Sequence, residues 1–203
     1  VTSGVAAREE LSARARGGPL SMLPLGPERD RDVFEGLNVE SVEAEAAQVV
    51  LCTGLFDDDH ETPDDYAERL LALKARRLTM LCANPDIVVQ RGGQLVYCAG
   101  ALAREYQKIG GEVLYFGKPY PAIYDLTLDT MRKVTGRTLT RPLAVGDGMA
   151  TDLAGANGMG FDALFIAHGI HAAELGEMTT ESLAQLFEKT GVRARAAMRE
   201  LVW

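Results

Sequence analysis

The sequence has little cysteine, no long apolar run and no surplus of positive charge. Its three cysteines, Cys52, Cys82 and Cys98, are an odd number without close-paired spacing. That excludes a disulfide scaffold and reads as buried thiols in a reducing cytoplasm. Zinc ligation by these thiols lacks a fourth nearby donor. No apolar stretch reaches the roughly 18 residues that a spanning helix needs, and the N-terminus has no signal-like apolar core. The chain therefore reads as soluble and cytoplasmic, without membrane contact. Lysine and arginine number 21 against 29 aspartates and glutamates, a net charge of -8. This balance argues against nucleic acid and anionic membranes as partners. It accommodates an anionic substrate only where a cleft is locally positive.

What is present suits an α/β protein. At 203 residues, with 47% hydrophobic residues, 25% charged residues and 21 glycines, the chain has ample core for one large or two modest domains. Ser3 to Arg16 predicts a helix, with Ser3 as its cap and alanine-rich propensity behind it. Gly17-Gly18-Pro19 breaks it. Val49 to Thr53 predicts a strand, and Thr62 to Arg77 a helix with proline at its first position. That helix carries Tyr66, Leu70, Leu71 and Leu73 on a core face. Leu78 to Ala83 returns as a strand. Strands near Phe116, Val145 and Ile166 then alternate with helices over 122–134 and 151–159, which implies a parallel sheet. The tail from Thr180 to Trp203 reads as two helices broken at Gly191.

The stretch from Gly117 to Asp152 carries the chemistry. Strand-like Val113-Leu114-Tyr115-Phe116 ends in Gly117-Lys118-Pro119, and the short buried strand Leu143-Ala144-Val145 ends in Gly146-Asp147-Gly148, followed by Thr151-Asp152. Open α/β sheets place ligands at the carboxyl ends of strands. Magnesium takes oxygen ligands in a near-octahedral shell that retains several waters, so Asp147 and Asp152 are candidate ligands. Lys118 would meet the remaining charge of a phosphate ester as a compact ammonium. Gly146 and Gly148 let the backbone turn and bring N–H groups close to an anion. Each residue also has a plainer reading: Lys118 as a solvated loop residue, Asp147 as a turn former, Asp152 as a helix cap.

These segments, with Pro121 and Ile123 behind the lysine, resemble the third and fourth motifs of haloacid dehalogenase-like (HAD) hydrolases. More narrowly, they resemble the phosphatase branch whose large α/β cap is inserted between the second and third motifs. Ala83-Asn84-Pro85-Asp86, Cys98-Ala99-Gly100-Ala101 and the opening Val1-Thr2-Ser3-Gly4 are similar to segments of that branch. The resemblance implies an α/β fold: a Rossmannoid parallel-sheet core, incomplete at the N-terminus, with an inserted cap. It places the core at 1–16 and 109–203 and the cap at 17–108. It implies a magnesium-dependent phosphatase acting on a small phosphorylated metabolite through an aspartyl-phosphate, and homodimers formed through the caps. Lys118 is then catalytic, Asp147 and Asp152 serve the metal, and Asn84, Asp86, Arg91 and Gly148 contact substrate, Arg91 as the partner of an anionic leaving group.

One departure stands out. The branch begins its chemistry with Asp-x-Asp after a buried strand, and a strand ending in Ser or Thr follows. Asp30-Arg31-Asp32 has the letters but follows the loop-like Leu25 to Arg29, and Asp57-Asp58-Asp59 falls within the cap-like segment. With Val rather than Met at position 1, the chain reads as a fragment lacking the nucleophile. A non-catalytic phosphate-ligand or protein-binding module on the same scaffold is the alternative. A nicotinamide-dependent dehydrogenase is disfavoured, because Gly155-Ala156-Asn157-Gly158-Met159-Gly160 lacks the G-x-G-x-x-G spacing and ends a helix instead of opening one. His168 and His171, three apart on a loop without a third donor, read as local hydrogen-bonding residues.

Overall fold

The structure, a computed structural model, describes residues 1–202. The chain forms two compact units, residues 1–117 and 118–203. Both are built on parallel sheets; the alternating pattern predicts this for the strands near Val145 and Ile166.

The first unit opens with α1 (Ser3–Arg14). Its cap is Thr2 and not Ser3: Thr2 has extended backbone and its hydroxyl accepts from the Val5 N–H at 3.3 Å. The helix stops at Arg14, and Ala15–Gly17 tightens into a 3-10 turn. A five-stranded sheet follows, in the order β2 (Val39–Ser41), β1 (Leu20–Leu25), β3 (Val49–Cys52), β4 (Thr79–Cys82), β7 (Val113–Tyr115). All its pairs are parallel. α2 (Ala67–Ala75) and α3 (Ala99–Lys108) carry the chain between strands. Thr62 and Asp65 form a capping box ahead of a 3-10 turn over Pro63–Tyr66, so α2 proper begins later than the sequence suggests. Tyr66, Leu70 and Leu73 are buried in the core with Leu102 and Tyr106, whereas Leu71 is exposed, because it points a quarter-turn away from that face.

β1 is a correction. Leu20–Leu25 is a strand with Met22, Leu23 and Leu25 buried, so Asp30-Arg31-Asp32 does have a buried strand upstream. Pro24 masks it in the sequence, since proline argues against a central strand. The two aspartates nevertheless do not stand at the strand's end: Gly26-Pro27 intervenes and both fall on a 3-10 helix, Glu28–Val33. A two-stranded antiparallel hairpin, β5 (Val88–Arg91) and β6 (Gln94–Tyr97), turns through Gly92 at φ +61.

The second unit holds a three-stranded parallel sheet in the order β10 (Ala196–Met198), β9 (Asp162–Ile166), β8 (Leu143–Gly146). The strand before Lys118, β7, therefore pairs with β4 in the other sheet and not with β8. β8 is an edge strand, which explains why it is not buried as its apolar residues predict: Leu143 and Val145 are both exposed. α4 (Pro121–Thr135) begins on a proline and ends at Gly136 in the left-handed region. In place of one helix over 151–159 there is a wide turn, Met149–Leu153, closed by the Leu153 N–H to the Gly148 carbonyl, and then α5 (Ala154–Gly158). α6 (Ala172–Leu175) and α7 (Thr180–Thr190) follow, and Gly191 caps α7 at φ +69. The second tail helix is absent among the described residues; β10 forms there instead, in register with β9 from Ala196 opposite Leu164. Trp203, the end of the expected tail, lies outside the described residues. No helix among them is long and apolar enough to cross a membrane.

Candidate active site

Lys118, Asp147, Gly148 and Asp152 all belong to the second unit. Lys118 stands three residues before α4, and its Nζ donates to Asp152 Oδ1 at 2.5 Å. The other oxygen, Oδ2, accepts the Gly148 N–H at 3.0 Å. Asp152 thus clamps the lysine to the loop that leaves β8. Its side chain is only 14% exposed while that of Lys118 is 50% exposed, so the carboxylate is the fixed partner and the ammonium the accessible one.

The wide turn makes this possible. Opening the helix by one residue swings Asp152 back over the end of β8. The close approach also requires glycine at 146, because a β-carbon there would fall 2.3 Å from the Asp152 carboxyl carbon. The helix-cap reading of Asp152 is part of the picture, since its acceptor does serve an N–H at the entry to the turn.

Asp147 faces a different neighbour. Its Oδ2 accepts the Ile170 N–H at 2.9 Å. Gly169 is packed so closely that an added β-carbon would lie 2.0 Å from that oxygen. The loop after β9 therefore braces Asp147, a contact that a linear reading of the motif does not supply. His171 Nε2 accepts the Met149 N–H at 3.4 Å and its Nδ1 lies 3.0 Å from Glu174. This pattern fits a neutral ring with its proton on Nδ1. His168 Nδ1 lies 2.9 Å from Glu200. Both histidines are thus engaged in local hydrogen bonds.

Tyr124 is a further neighbour that sequence reasoning missed. Its hydroxyl is buried without a hydrogen-bond partner among the described residues, tight against Gly155. Burial, and then the negative charge of Asp152, push its pKa up to about 12.

Among the described residues no group of three or more His, Cys, Asp or Glu converges as a ready-made cation cage. A magnesium ion does not need one, because it is commonly held by one or two carboxylates with waters and substrate phosphate completing the shell. Asp147 has one oxygen held by Ile170 and Asp152 has both oxygens bonded, so two carboxylates that could share in a set of that kind are present.

Asn84, Asp86 and Arg91 lie in the first unit. Asn84 Oδ1 accepts the Asp86 N–H at 3.2 Å, closing a turn whose carbonyls pack on Gly100 at the start of α3. Arg91, at the tip of the hairpin, forks onto both Asp58 oxygens at 3.2 Å and also pairs with Asp59. Arg29 binds Asp58 as well. The guanidinium of Arg91 is thereby matched to two carboxylates of its own unit.

Residues 115–188 match a protein-family profile described as HAD-hydrolase-like. The chain is similar to a haloacid dehalogenase-like family hydrolase from Brucella suis, with 40% sequence identity and a TM-score of 0.80, over 100% of this chain and 72% of that one. It is also similar in fold to a p-nitrophenyl phosphatase from Archaeoglobus fulgidus, at 18% identity and a TM-score of 0.71, over 98% of this chain and 70% of that one. A glycerol phosphate phosphatase from Mycobacterium tuberculosis in complex with magnesium shares 24% identity and a TM-score of 0.62, over 84% of this chain and 49% of that one. No curated protein sequence matches the chain.

Proposed function

The chain belongs to the haloacid dehalogenase-like hydrolase family, and from that premise we propose that residues 118–203 form the cation and phosphate side of a magnesium-dependent phosphomonoester hydrolase. The observation that carries this reading is the clamp by which Asp152 joins the Lys118 ammonium to the Gly148 N–H, in the loop that leaves β8 through Asp147. When bound, magnesium would neutralise the phosphoryl oxygens of a small phosphate ester. Asp147 would hold the ion and Asp152 would orient the site from behind. The half-exposed Lys118 ammonium would meet the remaining phosphoryl charge in a fixed position, which costs little reorganisation when negative charge develops. Gly148 would offer its N–H to the same phosphate by exchanging its bond to Asp152.

In this reading residues 17–108 act as the cap, and Asn84, Asp86 and Arg91 help choose the ester. Arg91 can serve an anionic leaving group only by giving up Asp58 and Asp59. In this reading phosphoryl transfer would run through an aspartyl-phosphate, and the attacking aspartate is not among the carboxylates named above.

Calorimetry with inorganic phosphate tests the proposal. Binding should require magnesium, and Asp147→Asn or Lys118→Met should each weaken it by about tenfold or more, since each removes a charged partner of the ligand or its ion. Phosphate binding indifferent to magnesium and to both substitutions would overturn it. The 203-residue chain should also hydrolyse p-nitrophenyl phosphate no faster than its Asp147→Asn variant. A clear magnesium-dependent excess would show that a nucleophile is present after all.

A further inference from the structure

The five-stranded sheet of residues 1–117 has a topological switch point. From β1 the chain moves to β2 on one side, while from β3 it moves to β4 on the other. Loops that leave adjacent parallel strands in opposite directions open a crevice above the strands' carboxyl ends, and small ligands bind in such crevices. Here the crevice exists: a cavity of about 340 Å³ lies over the ends of β1 and β3. That is within the size range of small-molecule sites, roughly 300 to 1,000 Å³.

Its chemistry is uneven in an informative way. Leu51 lines it from β3, and Phe34 and Phe56 add ring walls. Phe56 is held in place by stacking on Tyr66 at 5.9 Å and by the Arg69 guanidinium 5.1 Å from its centre. Among the polar lining, Arg31 is paired with Glu28 at 2.5 Å and cancels it. Asp30, by contrast, has no ion pair or side-chain hydrogen bond among the described residues, and the hydroxyls of Ser41 and Thr53 are likewise unengaged. One uncompensated negative charge and two free hydroxyls thus border an apolar cleft. Gly26 keeps the cleft open: at φ +153 its backbone runs so close to Thr53 that a β-carbon would meet Oγ1 at 2.0 Å.

We propose that this crevice binds a small organic monocation, a protonated primary amine carried on a flat apolar body. The ammonium pairs with Asp30 and donates to Thr53 and Ser41, and the flat body lies between the two phenylalanines. An anion of the same shape meets an unpaired carboxylate and is rejected.

Benzylammonium and benzoate share a ring and differ in charge, so amide NMR titration of the 203-residue chain with each is the test. Benzylammonium at millimolar concentration should give saturable shifts at Gly26, Asp30 and Thr53. Benzoate should bind at least about tenfold more weakly, the discrimination expected for one charge-assisted contact. Asp30→Asn should weaken benzylammonium by a similar factor while leaving the spectrum of the rest of the protein unchanged. Thr53→Val, close in shape, should weaken it less. Equal binding of the two probes, an Asp30→Asn variant that binds as well as the parent, shifts confined to other surfaces, or no saturable shift with benzylammonium each overturn the proposal.

Discussion

In β3 every side chain from Val49 to Cys52 is at most 1% exposed, whereas in β8 Leu143 and Val145 retain 55% and 44% of their exposure. The helices differ in the same direction: α3 buries six of its ten residues and α4 buries none of its fifteen. Both sheets are parallel, and parallel strands are normally covered on both faces. β3 achieves this because it lies between β1 and β4 with α3 packed on it, while β8 is an edge strand with a single neighbour. The difference teaches that β8 and α4 are held by other means than β3, although the second unit has an apolar core of its own around Phe165 and Leu153. Residues 1–117 rest on a packed apolar core. Around Lys118 and Asp147, geometry depends more on polar clamps such as Asp152 to Gly148 and Asp147 to Ile170.

The largest effect should come from the fully buried strand β3, set against the edge strand β8. Leu51→Ala should lower the stability of residues 1–117 by about 2 to 5 kcal/mol, the range for truncating a fully buried leucine. Val145→Ala, at a half-exposed edge position, should cost less than about 1 kcal/mol. Amide hydrogen exchange reads each unit separately, which matters because a chain of two units need not unfold in one step. Equal costs at the two positions would dissolve the contrast.

A smaller but better placed effect is expected at the clamp. Asp152→Ala removes the acceptor for both the Gly148 N–H and Lys118, so residues 118–203 should lose about 1 to 2 kcal/mol. The loss should show as faster exchange at Gly148 and Leu153 and leave the amides of β3 unchanged. Protection falling equally in both units would contradict a local polar device. Smaller again is Tyr124→Phe. The hydroxyl it removes is buried without a partner, so the variant should be neutral or stabilised by up to about 1 kcal/mol. A clear loss would mean that this hydroxyl has a partner in solution.

How much of this was legible beforehand follows the same division. The strands after which Lys118 and Asp147 stand were readable, because short apolar runs ending in glycine are local signals. The wide turn over 149–153 was not, since its extra residue depends on where Asp152 can find Lys118 and Gly148, contacts that are not local in sequence. β1 was hidden by Pro24, whose missing N–H usually rules out a central strand. β10 was hidden because an alanine-rich segment has no strand preference of its own and pairs only when β9 offers an edge. The mutual bracing of Asp147 by Gly169 and Ile170 joins residues more than twenty apart, and no spacing rule reaches that far.

The smallest expected effects are electrostatic, and they too separate the units. In residues 1–117, burial pushes Asp58 up, but Arg91 and Arg29 outweigh it and hold the carboxyl below its usual range. The hydrogen bond to His60 lowers Asp57, and the Thr62 backbone N–H lowers Asp65. In residues 118–203 the Glu174 carboxyl lies below its usual range, held down by Lys189 and then His171. A carboxyl whose pKa is depressed on folding contributes stability above its unfolded value, about 3.9 for aspartate, and that contribution is lost as pH falls through the folded value. His60 has the opposite sign: Asp57 raises its pKa, so its contribution is complete below about 6.5 and fades as pH rises through the folded value. The first unit should therefore be most stable between about pH 4 and pH 6.5 and lose more than the second on acidification. Urea midpoints followed by NMR at about pH 3 and pH 5.5 check this. Asp58→Asn should narrow the acid-induced drop of the first unit and leave the second as it was; an unchanged drop would mean that the Asp58, Arg91 and Arg29 cluster is too well solvated to matter.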